Sequence, residues 1–209
     1  PMKNILIHGL GQISKDWDTI KNELETRGIS SVAPDLFDLA KGRKLDYPTV
    51  YQAFSELCES YQDKLNLCGL SLGGLLALNY AIQYPKKINS LVLIGTPFEI
   101  PKGLLKFQNI VFRFMPKAVF QNMGVSKKDF IRLSKSMVDL NFMDSATALD
   151  CPALILCGAK DKTNMESAKR FHEAMKNSKL VIVEASGHEV NKDNPNELVR
   201  VLQDFWADR

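Results

Sequence analysis

The sequence has few of the residues that mark disulfide-rich, metal-binding or nucleic-acid-binding proteins. Its 209 residues include only four cysteines, with no C-x-x-C pair and no other spacing typical of metal ligands, so we expect free thiols and no metal site. The formal net charge is only +3, and basic residues are interspersed with acidic ones, which argues against nucleic acid as a partner. These absences favour an enzyme or a binding protein that acts on small molecules.

Long apolar segments are absent as well. No apolar run is long enough to span a bilayer, and the first strand-like run begins too close to Pro1 to follow a cleavable apolar leader. Together with the free cysteines, this predicts a soluble cytoplasmic protein. With 45% hydrophobic and 24% charged residues and no internal repeat, the chain is predicted to form one domain over residues 1–209.

Six short apolar runs, rich in branched residues, recur along the chain and predict buried parallel strands. They lie at residues 4–9, 29–35, 64–69, 90–95, 153–158 and 179–184. Amphipathic stretches between them predict helices at residues 16–27, 49–62, 72–84, 164–177 and 195–207. This alternation is typical of an α/β fold, so we expect a mostly parallel sheet of about six strands flanked by helices.

One interval breaks the alternation. Residues 97–148, here called the insertion, separate the fourth strand from the fifth and are predicted to form two or three amphipathic helices that dock on the domain. The insertion holds seven of the eleven phenylalanines and four of the seven methionines, which suits an adaptable apolar lining for a ligand pocket. The alternative is that these side chains only pack the insertion against the core.

The insertion is also basic, with eight lysines and arginines against four acids. We expect most of these cations to form a solvated helical face. The alternative is contact with an anionic membrane surface, or with a substrate that carries a phosphate or a carboxylate. The eight cations are Lys102, Lys106, Arg113, Lys117, Lys127, Lys128, Arg132 and Lys135.

Ligands of a parallel α/β sheet bind beyond the carboxyl ends of the strands. The polar residues found at these ends are His8, Asp35, Ser71, Thr96, Asp161 and His188. Ser71 stands in GLSLG, a G-x-S-x-G sequence that predicts a sharp turn from strand to helix and an exposed nucleophilic hydroxyl. Glycines two residues before and after the serine would remove a steric conflict at such a turn. The alternative is an ordinary packed turn.

A serine nucleophile needs a base, and the chain has three histidines. His172 lies inside a predicted amphipathic helix, which indicates a surface residue. His8 ends the first strand, where we expect it to shape the loop HGLGQ. His188 follows the last strand in a Ser-Gly turn, so it is the predicted base.

The base in turn needs a carboxylate that holds its tautomer. Asp161 follows the fifth strand, next to the strand that carries His188, so the two loops are expected to meet above the sheet. Glu99, after the fourth strand, is the main alternative acid, and Asp35 is a further one. The structural alternative for Asp161 itself is a helix N-cap or turn residue.

These motifs resemble the α/β-hydrolase superfamily, in its compact esterase-like branch. The resemblance rests on HGLGQ at 8–12, GLSLGG at 69–74, GAKD at 158–161 and SGH at 186–188. It implies a catalytic triad of Ser71, Asp161 and His188. It also implies an oxyanion hole from the backbone N–H groups of Leu10 and Leu72, whose side chains we expect to narrow the pocket.

The resemblance sets further expectations about fold and function. The sheet of this family usually opens with an antiparallel pair of strands, and we expect a sheet without that pair. A serine at the turn predicts a serine hydrolase without metal or organic cofactor, here a carboxylesterase that cleaves small to medium-chain apolar esters through an acyl-enzyme. A thioesterase, an acyltransferase or a carbon-carbon bond hydrolase with the same triad is the alternative. From another class, the alternative is a receptor-like binding protein with little turnover.

Overall fold

The computed structural model describes residues 2–100, 112 and 115–207. Within these residues, six parallel strands form one sheet in the order β2-β1-β3-β4-β5-β6. The strands are β1 (Met2–Ile7), β2 (Ser31–Val32), β3 (Lys64–Leu70), β4 (Ile88–Ile94), β5 (Ala153–Gly158) and β6 (Ser178–Val183). The predicted parallel α/β sheet is therefore confirmed.

Helices cover both faces of the sheet, and the five predicted ones begin and end within three residues of the expected positions. The helices are α1 (Asp18–Thr26), α2 (Leu36–Leu39), α3 (Tyr47–Ser60), α4 (Leu72–Gln83), α5 (Lys117–Asn122), α6 (Lys127–Ser136), α7 (Met143–Ala146), α8 (Lys162–Ala174), α9 (Val190–Asp193) and α10 (Pro195–Ala207). In the described part of the chain, no helix is both long enough and apolar enough to cross a membrane.

The second strand is much shorter than predicted. Only Ser31 and Val32 pair with β1, although the apolar run extends over residues 29–35. Pro34 has no N–H to contribute to a ladder, and Asp35 instead forms the N-cap of α2. This edge of the sheet is therefore reduced to a two-residue strand.

The core consists of two apolar clusters, one on each face of the sheet. Side chains alternate along each strand, so one strand can contribute to both clusters. In β4, Leu91 and Leu93 face one apolar cluster while Val92 and Ile94 face the other. Helices α1 and α10 cover the second cluster, and α3, α4 and α8 pack on the first. Each such side chain stabilises the fold by about 1.5 to 3 kcal/mol when it is removed from water.

In the described part of the insertion there are three helices, α5, α6 and α7. Residues 101–111, 113 and 114 of the insertion lie outside the described residues, so the part of the prediction that concerns them is not tested. Phe120 and Phe130 are buried with their rings 5.2 Å apart, and the Tyr47 N–H on α3 donates to Ser136 Oγ at 2.7 Å. The hydrogen bond from Tyr47 attaches the insertion to the rest of the fold, and both phenylalanines belong to the apolar cluster that α3 and α4 also form. That residues 1–209 form one domain stays a prediction.

All four cysteines are free, as predicted. Cys58, Cys68 and Cys157 are buried, and Cys151 is half-buried. Burial raises the pKa of Cys151 to about 11 and that of Cys157 to about 12. These thiols therefore stay protonated at neutral pH and act as small apolar packing groups.

Candidate active site

Ser71 lies at the turn between β3 and α4, in a backbone conformation that L-residues rarely adopt. Its φ is 54° and its ψ is −111°. The Ser71 N–H donates to the Ile94 carbonyl at 2.8 Å, and the Ser71 carbonyl accepts from the Leu75 N–H at 3.0 Å. Backbone held in such a conformation stores on the order of 1–3 kcal/mol of strain, which the surrounding structure must maintain.

The two glycines of GLSLG allow this turn, as predicted. A Cβ at Gly69 would overlap the backbone carbonyl of Gly73, and a Cβ at Gly73 would overlap the carbonyl of Ile7 on the neighbouring strand. The start of α4 therefore packs against the sheet with only backbone in between. A turn that presents a side chain above the sheet needs this close approach of helix and strand. An ordinary turn does not need it.

His188 and Asp161 contact each other at the carboxyl edge of the sheet. His188 Nδ1 lies 2.8 Å from Asp161 Oδ2, and the Asp161 side chain is only 5% exposed whereas that of His188 is 41% exposed. Burial alone would raise the pKa of Asp161, but hydrogen bonds with His188 and Asn164 hold it below its ordinary value. An ionised Asp161 accepts a hydrogen bond from the Nδ1–H group of His188, which leaves the lone pair of His188 Nε2 free to act as a base.

Asp161 also fills the structural role that was considered for it, because it is the N-cap of α8. Its Oδ1 accepts from the Asn164 backbone N–H at 3.3 Å, and the Asn164 side-chain Nδ2 donates to Oδ1 at 3.0 Å and to Oδ2 at 2.9 Å. The sequence reasoning missed Asn164. The sequence shows only that Asn164 stands three residues after a possible N-cap aspartate. A side chain at that position can form a hydrogen bond with the cap residue.

One cavity of about 560 Å³ brings the predicted residues together. Ser71, Asp161, His188 and Leu10 all line it. Apolar residues of the insertion form much of the remaining wall: Ile100, Phe112, Met115, Val119, Phe120, Met123, Phe130 and Met137. The phenylalanines and methionines of the insertion therefore include both wall residues and residues buried in the core.

The backbone N–H groups of Leu10 and Leu72 lie in the loop after β1 and at the first residue of α4. The first N–H groups of a helix have no partner within the helix. Among the described residues, neither N–H group donates a hydrogen bond to a protein acceptor. The Leu72 side chain is fully buried in the core, so the expectation that it narrows the pocket is wrong; the Leu10 side chain does line the cavity.

Gln12 connects the loop that carries Leu10 with the loop that carries His188. It is 2% exposed, its Oε1 accepts from the Gly9 N–H at 3.3 Å, and its Nε2 donates to Glu189 Oε1 at 2.9 Å and to Asn191 Oδ1 at 3.0 Å. The motif HGLGQ contains this residue, but the sequence pattern gave it no role. Glu189 and Asn191 lie far from Gln12 along the chain, so these two contacts become visible only in the fold.

His8 has a structural role, as predicted. The ring is fully buried, Nε2 accepts from the Leu36 N–H at 2.9 Å, and Nδ1 lies 2.8 Å from the Gly9 carbonyl. Burial lowers its pKa, which keeps the ring neutral. Both ring nitrogens are therefore used in holding the loop after β1.

The other candidates lie elsewhere or have other partners. His172 is exposed on α8, Asp35 caps α2, and Thr96 is buried against α4. Glu99 lines the same cavity as Ser71, but in the described part of the structure no hydrogen bond joins it to His188. The side chain that contacts the predicted base is Asp161.

Five cations of the insertion line a surface groove of about 1040 Å³ formed by α5 and α6. They are Lys117, Lys127, Lys128, Arg132 and Lys135. Arg132 is paired with Asp129 at 2.7 Å. Contact of this surface with an anionic membrane stays an alternative to the predicted solvated face.

Comparison with known proteins agrees with this fold. A family model described as the alpha/beta hydrolase fold matches residues 5–140, which is more than half of the chain, and the chain therefore belongs to this family. A curated relative, Lipase 3 of Moraxella sp., is 26% identical over 92% of this chain and 75% of its own length. The 2-hydroxy-6-oxo-2,4-heptadienoate hydrolase of Pseudomonas putida is 24% identical over 97% of this chain and 88% of its own length.

A solved structure gives the same result for the fold. A carboxylesterase structure from Nitrososphaera gargenis has a TM-score of 0.84 at 19% identity and covers 99% of this chain and 90% of its own. At this identity the similarity establishes the α/β-hydrolase fold. The chemistry of the site depends on the side chains that this chain places there.

Proposed function

We propose that this chain is a serine hydrolase, and specifically a carboxylesterase that cleaves small to medium-chain apolar esters. The observation that carries the proposal is the 2.8 Å contact between His188 and buried Asp161, in the same cavity that Ser71 lines from its strained turn. A base oriented by a carboxylate beside a presented serine is the arrangement that activates a hydroxyl nucleophile. Membership of the α/β-hydrolase family, with lipase and esterase relatives, supports it.

In this mechanism Ser71 Oγ attacks the ester carbonyl carbon while His188 Nε2 takes the hydroxyl proton. Asp161 holds the imidazole in the required tautomer and stabilises its protonated form. The N–H groups of Leu10 and Leu72 bind the oxyanion, a contribution of about 3 to 4 kcal/mol for each such donor in the transition state. His188 returns the proton to the leaving alcohol, which leaves an acyl-enzyme on Ser71. Water activated by His188 then releases the acid.

The apolar wall of the cavity favours a substrate with an apolar acyl or alcohol group. Phenylalanines and methionines of the insertion line the cavity together with the polar residues at the sheet edge. Methionine is flexible and adapts to ligands of different length, so one cavity can accept a range of chains. The volume of about 560 Å³ lies within the range of small-molecule sites.

The charges in the cavity favour an uncharged ester over an anionic substrate. Glu99 and Glu189 line the cavity in addition to Asp161, and none of its lining residues in the described part of the chain is a lysine or arginine. A carboxylate bound there would be placed near other carboxylates, with no lysine or arginine among the described lining residues to pair with it. The relative from Pseudomonas putida is named for a heptadienoate, which is an anion. This feature of the cavity therefore favours the ester over that carbon-carbon substrate.

The test is hydrolysis of a p-nitrophenyl ester series from acetate to decanoate, with labelling by a fluorophosphonate. We expect turnover and labelling in the wild type and neither in Ser71→Ala, with the chain-length optimum reporting the size of the cavity. Circular dichroism and thermal melting of the variant serve as the folding control.

The outcomes also separate the alternatives. Labelling of Ser71 without ester turnover would favour a thioester, an acyl transfer or a carbon-carbon bond as the real substrate. The absence of both labelling and turnover in a folded wild-type protein would contradict the proposal and favour a binding protein with little turnover.

A further inference from the structure

We infer that Asn164 is a positioning residue of the Asp161–His188 pair, a role that rests on the proposed function. Its side-chain Nδ2 lies 3.0 Å from Asp161 Oδ1, 2.9 Å from Asp161 Oδ2 and 3.2 Å from His188 Nδ1. The residue is 9% exposed and lines the same cavity as Ser71. One amide thus contacts all three polar atoms that set the orientation of the predicted base.

These contacts fix the orientation of the Asp161 carboxylate. Asp161 Oδ2 faces His188, and the Asn164 amide bridges Oδ2 and Oδ1 beside the imidazole. In the described part of the structure, Asn164 and His188 are the only residues that donate to this carboxylate. Without the amide, the carboxylate keeps only the backbone N–H at 3.3 Å and the imidazole as donors.

The orientation of the amide follows from electrostatics. With its oxygen in place of Nδ2, Asn164 would put a partial negative charge against both carboxylate oxygens, so the N–H groups must face Asp161. Because Nδ1–H of His188 also donates to Asp161, the amide cannot donate to Nδ1 as well. The 3.2 Å approach therefore places the positive end of the amide beside the imidazole. This partial positive charge repels a positively charged imidazolium, whereas the Asp161 carboxylate attracts it.

The remaining titratable groups around the pair do not supply this effect. They are Cys157 on β5, Glu99 after β4, Lys162 at the start of α8, and Glu189 and Asp193 after β6. The acids attract a positive charge on the pair, and the Cys157 thiol is uncharged at neutral pH because burial raises its pKa. Lys162 is exposed, and in the described part of the structure it forms no hydrogen bond or ion pair with Asp161 or His188. Unlike these groups, Asn164 donates hydrogen bonds directly to the Asp161 carboxylate.

The test compares Asn164→Ala and Asn164→Asp with the wild type, by pH profiles of kcat/KM on a short-chain p-nitrophenyl ester. We expect Asn164→Ala to lose roughly ten- to a hundredfold in kcat/KM, the scale of a small misplacement of a catalytic group. We expect the acid limb of its profile to move up by about one pH unit, because the carboxylate is then left to the imidazole and the pair takes up a proton more readily. Asn164→Asp has the same shape but replaces the donor with an acceptor, so it is expected to be worse than Asn164→Ala.

Asn66→Ala is the matched control. Asn66 is 2% exposed, donates to Asn4 at 2.8 Å and lies near the start of β3, at the other end of the strand from Ser71. Loss of this buried amide is expected to lower the melting temperature and to leave the pH profile unchanged. A wild-type profile in Asn164→Ala, or wild-type activity in Asn164→Asp, would show that Asn164 only fills space and would overturn the inference.

A second readout does not depend on turnover. The downfield proton NMR signal of His188 Nδ1–H, identified by its loss in His188→Ala, is expected to move upfield or broaden in Asn164→Ala. If the wild type shows no activity that depends on Ser71, the proposed function fails while this signal still tests the contact. An unchanged signal in Asn164→Ala overturns the positioning role.

Discussion

The backbone of Gly95 lies directly against the ring of His188. A Cβ placed on Gly95 would be 3.0 Å from His188 Nδ1 and 3.2 Å from Asp161 Oδ2. Gly95 follows β4, the strand between those that carry Ser71 and Asp161, and its φ of +50° is one that L-residues rarely adopt. This strand therefore supplies bare backbone to the site, and the Asp161–His188 pair occupies the space that a side chain would take.

Replacing Gly95 by alanine is expected to impair activity more than stability. The methyl group would push His188 and Asp161 out of position, which we expect to cost roughly ten- to a hundredfold in kcat. The positive φ adds a stability loss of about 1 to 2 kcal/mol. Gly28→Ala is the matched control, since its φ is +76° and a Cβ there meets no atom within 4 Å. Equal rate losses in the two variants would contradict the contact.

The strain at Ser71 predicts different stabilities for two inactive variants. Ser71→Ala removes the nucleophile but keeps a Cβ at a φ of 54°, so its unfolding free energy is expected to stay close to that of the wild type. Ser71→Gly removes the strain as well and is expected to be more stable than Ser71→Ala by about 1 kcal/mol, after the greater chain entropy of glycine is deducted. Urea denaturation of both variants measures the difference. A Ser71→Gly protein no more stable than Ser71→Ala would mean that the turn is not strained.

The identity of the acid can be decided with two isosteric variants. Asp161→Asn is expected to lower kcat by a factor on the order of 10⁴, because an amide favours the wrong tautomer of His188. Glu99→Gln is expected to change kcat far less, since Glu99 lines the cavity without a hydrogen bond to His188 among the described residues. The assignment reverses if Asp161→Asn retains near-normal rates and Glu99→Gln is inactive.

His8 makes stability depend on pH. Burial lowers its pKa in the folded protein below the ordinary value of 6.5, so the unfolded chain binds more protons between the two values. Its contribution to the free energy of unfolding is therefore complete above about pH 6.5 and is lost as the pH falls toward the folded pKa. We expect the stability difference between the wild type and His8→Gln to shrink between about pH 7 and pH 5 in urea denaturation. A difference that stays constant over this range would refute the prediction.

Much of the fold could be predicted because buried strands can be recognised from their local sequence. β3, β4 and β5 are buried on both faces, and such strands need continuous apolar sequence, which is visible without a structure. The helices α2 and α9 were missed because four residues are too few to show a helical period. β2 is shorter than its apolar run because Pro34 has no N–H to donate and Asp35 forms the N-cap of α2. The hydrophobicity of the run does not show this.

The candidate site was partly predictable for a related reason. Parallel strands bring their carboxyl ends to one edge, so Ser71, Asp161 and His188 could be expected to gather there from sequence order alone. Asn164, Gln12 and Gly95 left no comparable signal. Their importance depends on partners that are distant in the chain or on the space that a neighbouring side chain occupies.

The sequence by itself determined the parallel sheet, the turn that bears Ser71 and the set of polar residues at the sheet edge, because periodicity and glycine spacing act over a few neighbouring residues. Only the tertiary structure decided that Asp161 rather than Glu99 contacts His188, and that Asn164 bridges the two. Both acids have the same chemistry and both follow a strand. A hydrogen bond needs its atoms within about 3 Å, and that distance depends on how loops far apart in the chain pack against each other.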